Sequence, residues 1–248
     1  MVEIITLLLV FLTGIAAGFF DSTLGAGGLV SVPSLVFLGL PAQVAIATDR
    51  FGTVGQTVAA MFKFGKAKKI VWKYVPVFAI ISLLGSFIGA NILLNINQEI
   101  LQKVVGFLMV ILLAFIFIKP NIGIRQNKVS KSKIILGLMI YFLIMVLGGF
   151  FGQGTGPLVF YTLTYFLGFT MIEVLATGII PWFVLSLSSL IVFALSGIID
   201  YRNGIVLLVG MAIGGYLGAH IALKKGNVWL RRLFIAFVII AAIKLLLF

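Results

Sequence analysis

One hydrophobic layout is written into this chain twice. Gly18-Phe19-Phe20, followed by a glycine-rich turn, recurs as Gly149-Phe150-Phe151 followed by another, and Phe37-Leu38-Gly39 recurs as Phe166-Leu167-Gly168. From there the match runs on at a fixed offset, with Ala47-Thr48 against Ala176-Thr177, Gly85 against Gly214, Gly89-Ala90 against Gly218-Ala219 and Leu101 against Leu230. So long a collinear run restricts the fold to two copies of one unit. When such units lie in a membrane, they are the architecture of transporters.

Composition places them there. Of the 248 residues, 62% are hydrophobic and 10% charged, and mean hydropathy is +1.28; soluble domains carry about 25% charged residues. With no cysteine, disulfides and thiolate metal sites are excluded, and with His220 as the single histidine no His-based metal centre is expected. No cofactor is called for. The first apolar stretch, Ile4 to Phe20, lacks a basic start and an Ala-x-Ala site, so it reads as a retained span rather than a secretory signal.

A net charge of +12 raises the question of nucleic acid, but the placement of the charge answers it. Lys63, Lys66, Lys68, Lys69 and Lys73 form one cluster; Lys119, Arg125, Lys128, Lys131 and Lys133 a second; Lys224, Lys225, Arg231 and Arg232 a third. All sit in short loops between apolar stretches, the pattern that fixes cytoplasmic loops of membrane proteins. They lack the aromatic and polar interleaving of a nucleic-acid surface.

The apolar stretches fall at 4–20, 28–40, 44–62, 74–94 and 103–118, and again at 134–150, 156–170, 175–195, 204–223 and 232–247. An odd number of spans per unit makes the second unit enter from the opposite side. Loop charges agree: basic loop 63–73 corresponds to 192–202, with only Asp200 and Arg202, and basic loop 224–232 corresponds to 95–103, with only Glu99 and Lys103. Equivalent loops of a parallel repeat would match in charge; those of an inverted repeat alternate.

The expected fold is therefore an all-α polytopic membrane protein of two inverted-topology repeats, about five segments each. Residues 1–118 form the first repeat, 119–133 a basic cytoplasmic linker and 134–248 the second repeat. The chain is expected in the cell (inner) membrane, with basic loops in the cytoplasm and both termini outside.

The second stretch of each half is too short to cross. Gly28 to Leu40 spans roughly 20 Å as a helix, against a hydrocarbon core of about 30 Å. Each short stretch follows an expected break, Asp21 to Gly28 in one half and Gly152-Gln153-Gly154-Thr155-Gly156-Pro157 in the other, where glycines free the backbone and Pro157 removes a donor. Irregular backbone at membrane depth is tolerated only inside protein or beside a water-filled cavity. In inverted repeats such paired breaks meet at the binding site near mid-membrane.

The stretch Phe20 to Pro33, then Gly39-Leu40-Pro41 and Ala47-Thr48-Asp49-Arg50-Phe51, resembles the first-repeat signature of the TauE/SafE family of sulfite and organosulfonate exporters. Gly149 to Pro157, with Ala176-Thr177, resembles that family's second signature, with Gln153 at a position where related sequences vary. The resemblance covers essentially the whole chain. It implies export, or in some members uptake, of small sulfur-containing anions, and it admits a homodimer.

Candidate substrate-binding residues are Asp21, Ser22, Gly25, Gly27, Thr48, Arg50, Gln153, Gly154, Thr155, Gly156 and Thr177. Arg50 offers a rigid donor fork suited to sulfonate, sulfate or carboxylate. Asp21, Asp49 and His220 are the candidate proton carriers, since intramembrane ionisable groups are functional by default. Each has a structural counter-reading: Asp21 as a helix cap, Asp49 and Arg50 as an ion pair at the interface, Thr48 and Thr177 as hydroxyls bonded back to their own helices. Two rival functions are weighed. An intramembrane hydrolase with Ser22 as nucleophile lacks a base and any Gly-x-Ser-x-Gly elbow; a passive anion channel differs from a carrier in showing no saturable counterflow.

Overall fold

The computed structural model describes residues 2–97, 123–152 and 155–247. Among these residues the chain is helical throughout its regular structure, with α1 Val2–Leu24, α2 Gly28–Phe37, α3 Ala42–Lys66, a 3-10 turn Trp72–Tyr74 and α4 Val75–Asn95. The second half supplies α5 Lys131–Phe151, α6 Gly156–Phe166, α7 Met171–Leu195 and α8 Tyr201–Leu247. Five helices are long and apolar enough to span a bilayer: Glu3–Leu24, Trp72–Asn95, Lys131–Phe150, Met171–Leu195 and Tyr201–Ala236. The expected span 103–118, with Glu99, Lys103 and Lys119, lies outside the described residues, as do Gln153 and Gly154.

Both short helices form where expected. The first break is narrower than Asp21 to Gly28, because α1 stays helical through Leu24. Thr23 donates its hydroxyl to the Phe19 carbonyl at 2.8 Å, and Gly25, at φ +65°, closes the last turn with its N–H on the Asp21 carbonyl at 2.8 Å. A left-handed glycine after the last turn is the common helix stop. In the second half Gly152, at φ +96°, ends α5. Pro157 falls in the first turn of α6, where the missing N–H has no partner to lose, so it starts that helix rather than breaking it. The stretches 204–223 and 232–247 belong to one assigned helix, α8, which loses helical geometry at Gly226 (φ 80°, ψ −178°). Beyond that glycine the chain folds inward, and Phe234 lies against Phe160 of α6, ring centroids 5.8 Å apart.

α8 packs along α1 and α3; α4 packs along α5 and α7; α3 meets α7 between them. The contacts are close because glycines line them. A Cβ on Gly18 would strike the backbone of Met211, and one on Gly89 would strike the Val146 carbonyl. Directions follow from the same contacts. Glu3 pairs with Arg202 and Gly218 abuts Phe19, so α1 and α8 run parallel. Gly204 lies beside Thr48, and the Lys63 ammonium is 4.3 Å from the Tyr216 ring centroid, so α3 runs with them. Ser82 bonds Tyr141 at 3.3 Å and Gly89 abuts Phe150, so α4 and α5 run parallel to each other. Residues 123–130 are tied to the turn between α6 and α7: Asn127 N–H donates to the Gly168 carbonyl at 3.0 Å, and Met171 N–H to the Gly123 carbonyl at 2.9 Å.

Candidate functional site

The two breaks meet. A Cβ on Gly156 would overlap the Gly25 carbonyl, and one on Gly25 would stand 2.9 Å from the Gly156 Cα, so the start of α6 lies directly on the end of α1. Only glycine at both positions permits that approach, and Gly25 needs its left-handed φ as well. Gly27 is equally confined, since a Cβ there would lie 2.6 Å from the Asp21 Cβ.

Beside this contact lies a small cavity of about 30 Å³. Its polar wall is Asp21, Ser22 and Gln56; Phe64, Phe160 and Trp182 supply aromatic surface. Asp21 lies inside α1 rather than at a helix N-cap, and it accepts from the Gly27 N–H at 3.3 Å, which fastens the entry of α2 to the end of α1. Gln56 donates through Nε2 to Ser22 Oγ at 2.7 Å, while its Oε1 is buried without a partner.

A second polar cluster lies nearer the start of α3. Asp49 and Arg50 are not at a helix end: they lie two turns inside α3, both fully buried. Nor do they hydrogen-bond each other. Asp49 Oδ1 accepts from Ser31 Oγ, one turn into α2. Arg50 reaches across to the other half and donates through Nη2 to the Gly148 carbonyl, which also accepts the Gly152 N–H at 3.0 Å. That carbonyl belongs to the last turn of α5, where a cation offsets the negative end of the helix. Asp49 Oδ2, Arg50 Nε and Arg50 Nη1 have no partner and no exposure. Gly152 lies against this cluster: a Cβ placed there would stand 3.5 Å from Arg50 Nη2 and 3.7 Å from Asp49 Oδ2. An unpaired buried charge costs several kcal/mol, so orphaned donors and an orphaned acceptor in one buried cluster point to a ligand.

The structure gathers Asp21, Ser22, Gly25, Gly27, Arg50, Asp49, Thr155 and Gly156 around the two breaks; Thr155 is buried and donates its hydroxyl to the Gly152 carbonyl at 3.2 Å. It places Thr48 and Thr177 elsewhere. Asp200 N–H donates to Thr48 Oγ1 at 3.1 Å and Val71 N–H to Thr177 Oγ1 at 3.0 Å, the same hook in each half, joining a loop end to a central helix. These hydroxyls therefore bond neither their own helices nor the cavity, because an amide left free at the head of α4 and of α8 competes for them. His220 is exposed on α8, outside both clusters. Thr53 and Thr57 return their hydroxyls to the Asp49 and Thr53 carbonyls at 2.9 and 3.0 Å. Ser31, Gly148 and Trp182 were not foreseen as site residues. Only Ser31 left a trace in the sequence, four residues after Gly27 and so on the same face of the short helix.

A family model described as "Sulfite exporter TauE/SafE" matches residues 10–245. A "Probable membrane transporter protein" of Haemophilus influenzae is 28% identical over 225 residues, covering 91% of this chain and 88% of the relative. The "Probable membrane transporter protein YfcA" of Escherichia coli K12 is 25% identical over 248 residues, covering 99% and 91%. YunE of Bacillus subtilis, described in the same words, is 27% identical over 85% of this chain and 86% of its own length. No solved structure matches.

Proposed function

The chain belongs to the sulfite exporter TauE/SafE family of membrane transporters, and from that premise we propose that it is a secondary carrier, most simply an exporter, of a small sulfur-containing anion. The observation that carries the reading is the pair of partnerless donors on Arg50, a side chain buried inside the bundle whose guanidinium lies beside the break at Gly152. An anion accepting from either of them adds a partner to a guanidinium that the protein alone leaves half-bonded. The Gly25 to Gly156 contact joins the two halves at this point, so a change at the site is felt by both.

Charge sets the coupling. Asp21, Asp49 and Arg50 are the buried acidic and basic side chains among the described residues, and with all three ionised they sum to one negative charge, which repels an anion. One proton taken up on Asp21, the carboxyl that lines the cavity, removes that repulsion and travels with the substrate. Ser22 is not a nucleophile in this reading, since Gln56 holds its oxygen and the single histidine lies outside the cavity. The test is uptake by liposomes holding the purified protein, across sulfite, sulfoacetate, taurine, sulfate and simple carboxylates. Saturable, counterflow-competent transport of at least one sulfur anion is expected. Asp21→Asn is expected to transport without response to an imposed pH gradient; a gradient response equal to that of the unaltered protein would remove Asp21 from the coupling.

The inverted arrangement of the halves is part of the proposal. It is supported by the opposite directions of α1 and α5: α1 runs with α3 and α5 with α4, and α4 returns against α3, since Gln43 at the start of α3 donates to the Leu93 carbonyl at the end of α4 at 3.1 Å. The basic residues at the end of α3, the start of α5 and the Gly226 break of α8 gather at one end of the bundle, which the positive-inside rule assigns to the cytoplasm. A cysteine replacing Lys128 is expected to react with an impermeant thiol reagent from the cytoplasmic side alone, and one replacing Asn97 from the outside alone. The chain has no cysteine of its own to confuse the readout, and labelling of both from one side would end the inverted reading.

A further inference from the structure

We infer that the crevice between α4 and α5 seats one anionic phospholipid of the cytoplasmic leaflet, with its phosphate between Lys73 and Lys131 and an acyl chain along the helices. The inference is independent of the transported anion, and takes from the proposed topology only the placement of the basic end of the bundle at the cytoplasmic face.

The crevice has a volume of about 430 Å³ and is lined by Ile81 of α4 and by Ile135, Leu138, Met139, Phe142 and Leu143 of α5. Every lining side chain is apolar. The packing around it explains why it stays open. Toward the ends of the two helices, Gly85 and Gly89 bring α4 onto Met145 and Val146 of α5, where a Cβ on either glycine would strike backbone. Nearer its start α5 leans the other way, since a Cβ on Gly137 would stand 2.5 Å from the Phe166 Cβ of α6. Phe78 and Tyr141, both fully buried with ring centroids 4.7 Å apart, join α4 and α5 on the core side. The outer side is left to the bilayer: Ile135, Met139 and Leu143 are each more than half exposed.

Each wall of the crevice begins with a lysine. Ile135, Met139 and Leu143 recur every four residues and so share one face of α5, and Lys131 heads that row at the first residue of the helix. On the other wall Lys73 lies in the 3-10 turn that leads into α4, about two turns before Ile81. Because Ser82 bonds Tyr141 at 3.3 Å between parallel helices, Lys73 and Lys131 stand at about the same height, nine and ten residues back from that bond. Both are exposed, and neither 72–84 nor 128–143 contains an acidic residue to neutralise them. Trp72, 65% exposed beside Lys73, adds an amphipathic ring of the kind that settles at headgroup level. Basic pockets between spans on the cytoplasmic side hold anionic headgroups through such a pairing of charge with apolar surface. The length agrees as well: Lys131 to Leu143 runs roughly 18 Å along the helix, close to one leaflet's half of a hydrocarbon core of about 30 Å. A free anion answers the lysines and leaves the crevice unfilled, and a neutral lipid does the reverse.

The test titrates dioleoyl-phosphatidylglycerol, dioleoyl-phosphatidylcholine and glycerol 3-phosphate into the purified full chain in detergent, with lipid retained per chain read by native mass spectrometry. The expected result is one phosphatidylglycerol per chain, held about tenfold or more tighter than phosphatidylcholine, the worth of two lysines at an anionic headgroup. Glycerol 3-phosphate, which has the charge without the chains, is expected not to bind at the same concentrations. Lys73→Gln with Lys131→Gln is expected to remove the preference for phosphatidylglycerol. Lys224→Gln with Lys225→Gln, the same change in net charge placed on α8, is expected to keep it. Met139→Trp, which fills the crevice and leaves the lysines in place, is expected to lower retention of both lipids. All five positions are exposed, so the variants leave the packed core as it is. Equal retention of the two lipids by the unaltered protein, or a preference lost to both lysine pairs alike, would overturn the site, because diffuse attraction to the basic end gives those results. Binding of glycerol 3-phosphate that depends on Lys73 and Lys131 would overturn it too, by making the ligand a soluble anion.

Discussion

Gly156→Ala is expected to abolish transport and to destabilise the folded protein by about 3 kcal/mol or more, the upper range for overpacking a filled core. The added carbon would overlap the carbonyl of Gly25, a backbone atom that cannot swing aside as a side chain does. Relief requires the end of α1 and the start of α6 to separate, and that separation pulls apart the walls of the Asp21 cavity and the approach to Gly152 together. Gly65→Ala is the control. Nothing lies within 4 Å of a Cβ there and its helix is exposed at that point, so the change is expected to raise stability by roughly 0.5 to 1 kcal/mol through helix propensity alone. Thermal unfolding in detergent followed by size exclusion, alongside liposome uptake, reads both. If Gly156→Ala folds and transports at the rate of the unaltered protein, the two breaks are ordinary connections and the mid-membrane site dissolves.

Arg50→Gln is expected to weaken anion binding by about 1.5 to 3 kcal/mol, the range for hydrogen bonds to a charged group, or roughly tenfold to over a hundredfold in affinity. Arg50→Lys keeps the charge without the fork and is expected to lose part of that. Both variants also give up the bond to the Gly148 carbonyl, so each carries a stability loss that must be measured separately. The simple anchoring reading predicts only that loss, with normal affinity in the folded fraction. The rival in which Asp49 and Arg50 secure a helix end as a pair does not survive their position, two turns inside α3 and hydrogen-bonded to other partners. Unchanged affinity in folded Arg50→Gln would move the anion to the backbone amides at the start of α6.

How the sequence and the structure divide the site is clearest at Thr48 and Thr177. Their equivalence was legible from the repeat, and so was their polarity, but their partners were not. The amides they accept from belong to Asp200 and Val71, far along the chain, and nothing in a local pattern announces such a pairing. Arg50 shows the same limit from the other side. Its chemistry, a forked cation inside an apolar span, marked it as a candidate at once, yet its contact with the Gly148 carbonyl depends on how the first half lies against the second. His220 drew attention as the single histidine, and the packing of α8 turns it outward.

The sequence by itself determined that the chain is helical and lies in a membrane, where the long and short helices run, and where the backbone breaks, because each of these is a property of composition, period and glycine content over a short window. It determined the pairing of glycine with glycine across the halves only as an expectation. Which side chains converge, that Ser31 holds Asp49, that Gln56 holds Ser22, and that three polar atoms of Asp49 and Arg50 are left without partners were decided by the tertiary structure. Hydrophobicity and backbone propensity act within a segment, whereas a buried hydrogen bond between segments exists only once α1, α2, α3 and the α5 to α6 break have been brought to the same point.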